Sequence, residues 1–97
     1  MISKKKLITS VIVVNYNNQK RIRRCINSLI KQTYKIDEII FVDDNSSDNS
    51  LSELRNFKKK IIKIKITKKT NIPSYDQMNA YYRGFNKSKG NVIFFFR

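Results

Sequence analysis

The chain is poor in residues that cross-link, stiffen or sharply turn a backbone: of its 97 residues, one is cysteine, one proline and two glycine. A lone cysteine, Cys25, excludes an internal disulfide and makes a reducing compartment the simpler expectation. No glycine lies in the turns after the first two apolar runs, at NYNN and DDNSSDNS. That excludes the glycine-rich loop through which a dinucleotide fold brings its backbone against a pyrophosphate. Nothing approaches the roughly 20 apolar residues of a membrane span. The opening MISKKKLITSVIVV is basic and then apolar, but its apolar part is short, holds Thr9 and Ser10, and meets no small-residue cleavage site, so it is not a secretory leader.

Acid is also scarce: 7 acidic residues stand against 21 basic ones, a formal charge of +14. Such a charge suits nucleic acid or an anionic membrane surface. The basic runs Lys4 to Lys6, Lys20 to Arg24, Lys58 to Lys60 and Lys63 to Lys69 nevertheless fall on separate segments, with no aromatic residues interleaved to stack bases. They read as solvated surface.

What is present is an alternation of strand and helix patterns. Leu7 to Val14 is a β-branched run closed by asparagines, and Ile39 to Val42 is a second continuous apolar run; both read as buried strands. Between them Ile22, Cys25, Ile26, Leu29 and Ile30 recur at helical spacing from Gln19 to about Gln32 or Thr33, with Cys25 on the core side. A second helix is expected from Ser50, where Ser50 and Glu53 have capping-box spacing. IIKIKIT alternates isoleucine and lysine, as a sheet-edge strand would. Ser74 and Gln77 repeat the capping-box spacing at the start of a third helix, with Tyr75, Met78, Tyr82 and Phe85 along one face and Gly90 beyond its end. Val92 to Phe96 is a fourth strand. The order β-α-β-α-β-α-β predicts an α/β fold with a mostly parallel four-stranded sheet and flanking helices.

The densest acidic cluster, FVDDNSSDNS, then lies at the carboxyl end of the second strand, where an open parallel sheet binds its ligands. Asp48 and Ser50 are accounted for as helix caps and Asx turns. Two adjacent aspartates are less easily explained that way, because their mutual repulsion needs compensation. Asp44 and Tyr16 could offer a nucleoside a hydrogen-bond acceptor and an aromatic ring.

The series from Thr9 to Ser50 resembles the opening of the family 2 glycosyltransferases, inverting enzymes of GT-A fold that move a sugar from a nucleotide-sugar donor to a glycan or related acceptor. The matching elements are Asn15-Tyr16-Asn17, Ser28 to Tyr34 with Gln32-Thr33-Tyr34, and Glu38 to Asp48. Tyr75 to Asn79 is similar to a Y-D-A-M-N element of one branch, although there a glycine follows within two residues, while Gly84 lies five beyond Asn79. Lys89-Gly90 and NVIFFF resemble the stretch that leads to the family's D-x-D motif.

This resemblance implies that residues 1–97 are a single partial domain, the nucleotide-sugar-binding half of a GT-A domain, ending before its catalytic half. It implies nucleoside contacts at Val14, Tyr16 and Asp44, with Asp43 as a further candidate. In the full-length family the D-x-D carboxylates hold a divalent metal, Mg or Mn, and a later acid takes the acceptor's proton. Those groups have no counterpart in this chain, so no catalytic residue or metal ligand is assigned and turnover by this polypeptide alone is not expected. The implied partner is a nucleotide-sugar, a UDP-sugar foremost, with no specific nucleic acid. The last strand is expected at an exposed edge, open to a complementing C-terminal polypeptide or to self-association. The expected location is the cytoplasm, free or peripheral to the inner face of the membrane. Two alternatives stand beside this: a lysine-rich polyanion-binding module, and a receiver-like domain, which IIFVDDN also resembles. Against the receiver, a complete strand and helix precede the acids, and the later strand ends in Phe96 and Arg97 where a phosphoacceptor aspartate belongs.

Overall fold

The computed structural model describes residues 7–32, 35–57, 61–70 and 72–96. Thr33, Tyr34 and the basic runs at 4–6 and 58–60 lie outside the described residues. In chain order the elements are β1 (Thr9–Asn15), α1 (Gln19–Ile30), β2 (Glu38–Asp44), a 3-10 helix (Ser50–Asn56), β3 (Ile61–Ile66), α2 (Pro73–Lys87) and β4 (Val92–Phe96). The four strands form one sheet in the order β3-β2-β1-β4. Every pairing is parallel.

Burial follows from this order. The central strands β1 and β2 are covered on both faces, which is why their sequences are continuously apolar instead of alternating. On one face Val11, Val13, Ile39 and Phe41 meet Ile22, Ile26 and Leu29 of α1 and Leu54 of the 3-10 helix. On the other, Ile12, Ile40, Val42 and Ile66 meet Ala80 of α2. The edge strand β3 keeps the alternation of its sequence, with Ile66 buried and Lys63 and Lys65 exposed. At the amino end of the sheet Glu38 ties two segments together. Its Oε1 accepts hydrogen bonds from Ser10 Oγ and from the Lys89 N–H, both at 2.6 Å.

Two expectations about the helices are corrected. The segment after the acidic cluster is a 3-10 helix, and its N-cap is Asn49, so Ser50 lies inside it and the Ser50/Glu53 box does not form. Likewise α2 begins at Pro73, with Ile72 as N-cap and no side-chain cap. Proline suits the first helical position because its missing N–H would be unpaired there anyway. The stripe Tyr75, Met78, Tyr82 and Phe85 lies on the outer face of α2, where these residues are 49–71% exposed. Asp76, Ala80 and Gly84 are the buried residues of α2.

The cause is close approach. A Cβ on Gly84 would lie 2.5 Å from Ile12 Cγ2 and 3.1 Å from Val42 Cγ2. The helix backbone therefore rests directly on the sheet, and a face of large side chains could not take its place. Gly84→Ala would gain about 1 kcal/mol of helix propensity but must displace a fully buried isoleucine, at an overpacking cost of about 1–3 kcal/mol. The expected outcome is a net loss of up to about 2 kcal/mol, read as a lower urea midpoint with unchanged m-value.

Candidate functional site

Strands β1 and β2 end in register, Asn15 opposite Asp43, so the turns that follow them share one rim of the sheet. Each turn contains a residue in the left-handed region, Asn17 at φ 49° and Asn45 at φ 58°, a conformation asparagine tolerates better than most side chains. The two turns are cross-linked. Ser46 Oγ accepts from the Asn17 N–H at 2.9 Å, while Asn17 Oδ1 accepts from the Ser47 N–H at 2.8 Å. Asp48 Oδ2 accepts from the Gln19 N–H at 3.2 Å, capping α1 from the neighbouring turn, and Gln19 Oε1 accepts from the Asn49 N–H at 3.0 Å. Most of the acidic cluster is thus a polar clamp.

The two adjacent aspartates separate at this rim, because side chains alternate along a strand. Asp43 turns to the α1 face, where it is buried and accepts from Asn15 Nδ2 at 3.1 Å and from the Ser46 N–H at 3.1 Å. Asp44 turns to the α2 face and lines a cleft of about 620 Å³ with Val14, Tyr16, Lys69, Asp76 and Tyr81. Of the residues expected at the site, Val14, Tyr16 and Asp44 come together there and Asp43 stays with the clamp.

Three further residues shape the cleft. Lys69 Nζ lies 3.0 Å from Asp44 Oδ2 and 4.5 Å from the centre of the Tyr16 ring. Asp76, 5% exposed, accepts from the Thr70 N–H at 2.9 Å and from Thr70 Oγ1 at 3.0 Å. It anchors the loop that carries Lys69. Asp44 Oδ1 is buried with no hydrogen-bond partner. An acceptor left so forfeits about 1–3 kcal/mol relative to a satisfied one. The signal for Lys69 in the sequence is its position just after β3, at the rim where the other two turns end; the long lysine run masks it. Among the described residues no group of three acidic, histidine or cysteine side chains could hold a metal. Cys25 is half-buried against the α1-side core, and burial pushes its thiol pKa up, which disfavours the reactive thiolate.

The family model for glycosyl transferase family 2 matches residues 10–96. The chain belongs to glycosyl transferase family 2. An uncharacterized glycosyltransferase of Nostoc sp. is 37% identical over 87 residues, 89% of this chain and 26% of that protein. The GalNAc(5)-diNAcBac-PP-undecaprenol beta-1,3-glucosyltransferase of Campylobacter jejuni is 37% identical over 84 residues, 87% of this chain and 24% of its own length. Among solved structures, the mannosyltransferase PcManGT of Pyrobaculum calidifontis, in complex with GDP-Man and Mn2+, superposes with a TM-score of 0.75 at 20% identity over 92% of this chain and 26% of its own. The four-stranded parallel sheet of this family 2 chain is therefore of GT-A type. The chain spans about a quarter of the length of these relatives. Neither the polyanion-module nor the receiver-like alternative finds support in these matches.

The clamp predicts a pH dependence. Hydrogen bonds, first from Ser50 Oγ, hold the Asp48 pKa below its ordinary 3.8. A depressed folded pKa contributes stability that is complete above the unfolded value and lost as pH falls through the folded one. Asp48→Ala should lower the urea midpoint at pH 7, and the gap to the parent should close below about pH 3.8. A gap that persists unchanged into strong acid contradicts this role.

Proposed function

We propose that the chain forms the nucleoside-binding part of a glycosyltransferase that takes its sugar from a nucleotide-sugar donor. The observation that carries this is the unpartnered, buried Asp44 Oδ1 in a cleft that the Tyr16 ring also lines. A base would stack on Tyr16 and donate a ring N–H to Asp44, while Val14 supplies apolar contact.

In the free protein the Lys69 ammonium covers the ring and must move aside. An exposed cation–π contact of this kind is worth about 0.5–1 kcal/mol. Base stacking on an aromatic ring contributes about 1–3 kcal/mol and a hydrogen bond to a charged group about 1.5–3 kcal/mol, so the exchange favours the nucleoside. The displaced ammonium can stay near Asp44 and donate to a base carbonyl. Uridine suits this pair best, since its imide N–H has a carbonyl on either side and serves Lys69 whichever way the ammonium moves. A UDP-sugar is accordingly the donor we assign.

The transfer itself needs a nucleophilic acceptor hydroxyl at the anomeric carbon and departure of the nucleoside diphosphate. The neighbour solved with GDP-Man and Mn2+ suggests a divalent metal for the diphosphate in a complete domain. The described residues offer that metal no three-ligand set, so the chain's part is binding and orientation. A cytoplasmic location goes with this role. The outer side of β4, which pairs only with β1, is where a complementing polypeptide or a second copy would add.

Calorimetric titration tests the site. UDP should bind more tightly than GDP. Tyr16→Ala should weaken UDP by about 5-fold to 100-fold, and Asp44→Asn by about tenfold or more. UDP binding that neither substitution alters would overturn the assignment, and a preference for GDP would overturn the choice of base alone. Incubation of this chain with a UDP-sugar and a sugar acceptor should yield no transfer product.

A further inference from the structure

Asp76 is the one acidic residue of α2, and it is buried. With Ala80 and Gly84, each four residues further on, it forms the line of the helix that rests on the sheet. A buried carboxylate needs donors, and those of Asp76 come from the loop before the helix. The Thr70 N–H is shared between Asp76 Oδ1 at 2.9 Å and Oδ2 at 3.2 Å, and Thr70 Oγ1 donates to Oδ1 at 3.0 Å. The same hydroxyl accepts from the Ile72 N–H at 3.0 Å. The start of α2 itself has no side-chain cap, so this carboxylate serves the loop.

The residue before Thr70 is Lys69, the one cation among the side chains that line the nucleoside cleft. Its two ends are therefore held separately. The backbone is held next door by Thr70 and Asp76, and the ammonium by Asp44 Oδ2 at 3.0 Å and the Tyr16 ring at 4.5 Å. Between them runs a flexible four-carbon stem, rich in rotamers and ending in a strongly hydrated charge. When a base displaces the ammonium from the ring, only the position of that backbone keeps the charge within reach of a base carbonyl. Released from the rim, it would go to water.

We infer that Asp76 is a positioning residue for nucleotide-sugar binding: through Thr70 it fixes the backbone from which Lys69 reaches the base. This rests on the reading of the cleft as a nucleoside site. Because Asp76 also lines the cleft, the rival is direct contact with the ligand. Its geometry disfavours that, since both carboxylate oxygens already face Thr70 donors and the residue is 5% exposed. Energetic coupling to Lys69 separates the two, because only a residue that acts through Lys69 loses its effect when the ammonium is gone.

The test is a double-mutant cycle on the 97-residue chain, read by calorimetric titration with UDP. Asp76→Ala should weaken UDP by about tenfold, the worth of one charge-assisted hydrogen bond. Asp76→Asn keeps an acceptor for the Thr70 N–H and should recover most of that loss. In a Lys69→Met background, Asp76→Ala should change UDP affinity by less than about twofold. An equal loss in both backgrounds would overturn the inference, as would a UDP affinity that Asp76→Ala leaves unchanged. Thr70→Val repeats the cycle from the exposed loop side and decides the matter if Asp76→Ala does not fold. A loss confined to the chain that carries Lys69 supports the role, and a loss shared by both backgrounds refutes it. Failure of the nucleoside reading looks different: the parent chain itself would then not bind UDP, and the inference would fall with it.

Discussion

A strand sends successive side chains to opposite faces of its sheet, and in β2 this alternation divides Asp43 from Asp44. Two carboxylates adjacent in sequence would repel if they shared an environment. Here one accepts from a side-chain amide and a backbone N–H within the clamp and the other pairs with an ammonium in the cleft. The separation lets a single strand end place one acid in the clamp and the other in the cleft. The clamp, in turn, fixes the β1 turn against the β2 turn, so that Tyr16 stands beside Asp44. The acidic cluster of this basic chain thus joins two turns and leaves one buried carboxylate oxygen of a cleft-lining aspartate without a partner.

Much of this was legible from residue patterns. The four strands, the first helix and the lysine-bearing edge follow from periodicity, because in each case burial and local pattern agree. The places where pattern failed have physical causes. Both capping boxes were outcompeted: Asp48 caps α1 from another turn and Asn49 precedes the 3-10 helix, while Pro73 opens α2 without a side-chain cap. The aromatic stripe of α2 has helical spacing and large apolar residues, yet the small residues Ala80 and Gly84 sit on the sheet, because the distance between backbone and sheet decides the packing. An apolar stripe shows that a face is amphipathic and does not show which neighbour covers it.

The candidate site was only half legible. Val14, Tyr16 and Asp44 stand at or just beyond the ends of strands at a predictable rim, whereas Lys69 and Thr70 reach the cleft through the path of the β3–α2 loop and Asp76 from the first turn of α2. Lys69 was further hidden by composition, being one among many lysines. Folding also separates charges that a linear reading groups together: Lys63 and Lys65 stand opposite Phe41 and Asp43, on the α1 side of the sheet, while Arg83 and Lys87 belong to α2 on the other.

The central claim is that the Tyr16 ring and the Asp44 carboxylate form a single pocket whose resident cation yields to a nucleoside. Nuclear Overhauser contacts of the Tyr16 ring measure this directly. In the free protein the ring protons should contact the Lys69 ε-methylene, and on addition of UDP those contacts should give way to contacts with the uracil and ribose protons. A Tyr16 ring whose contacts stay the same under saturating UDP would contradict the account.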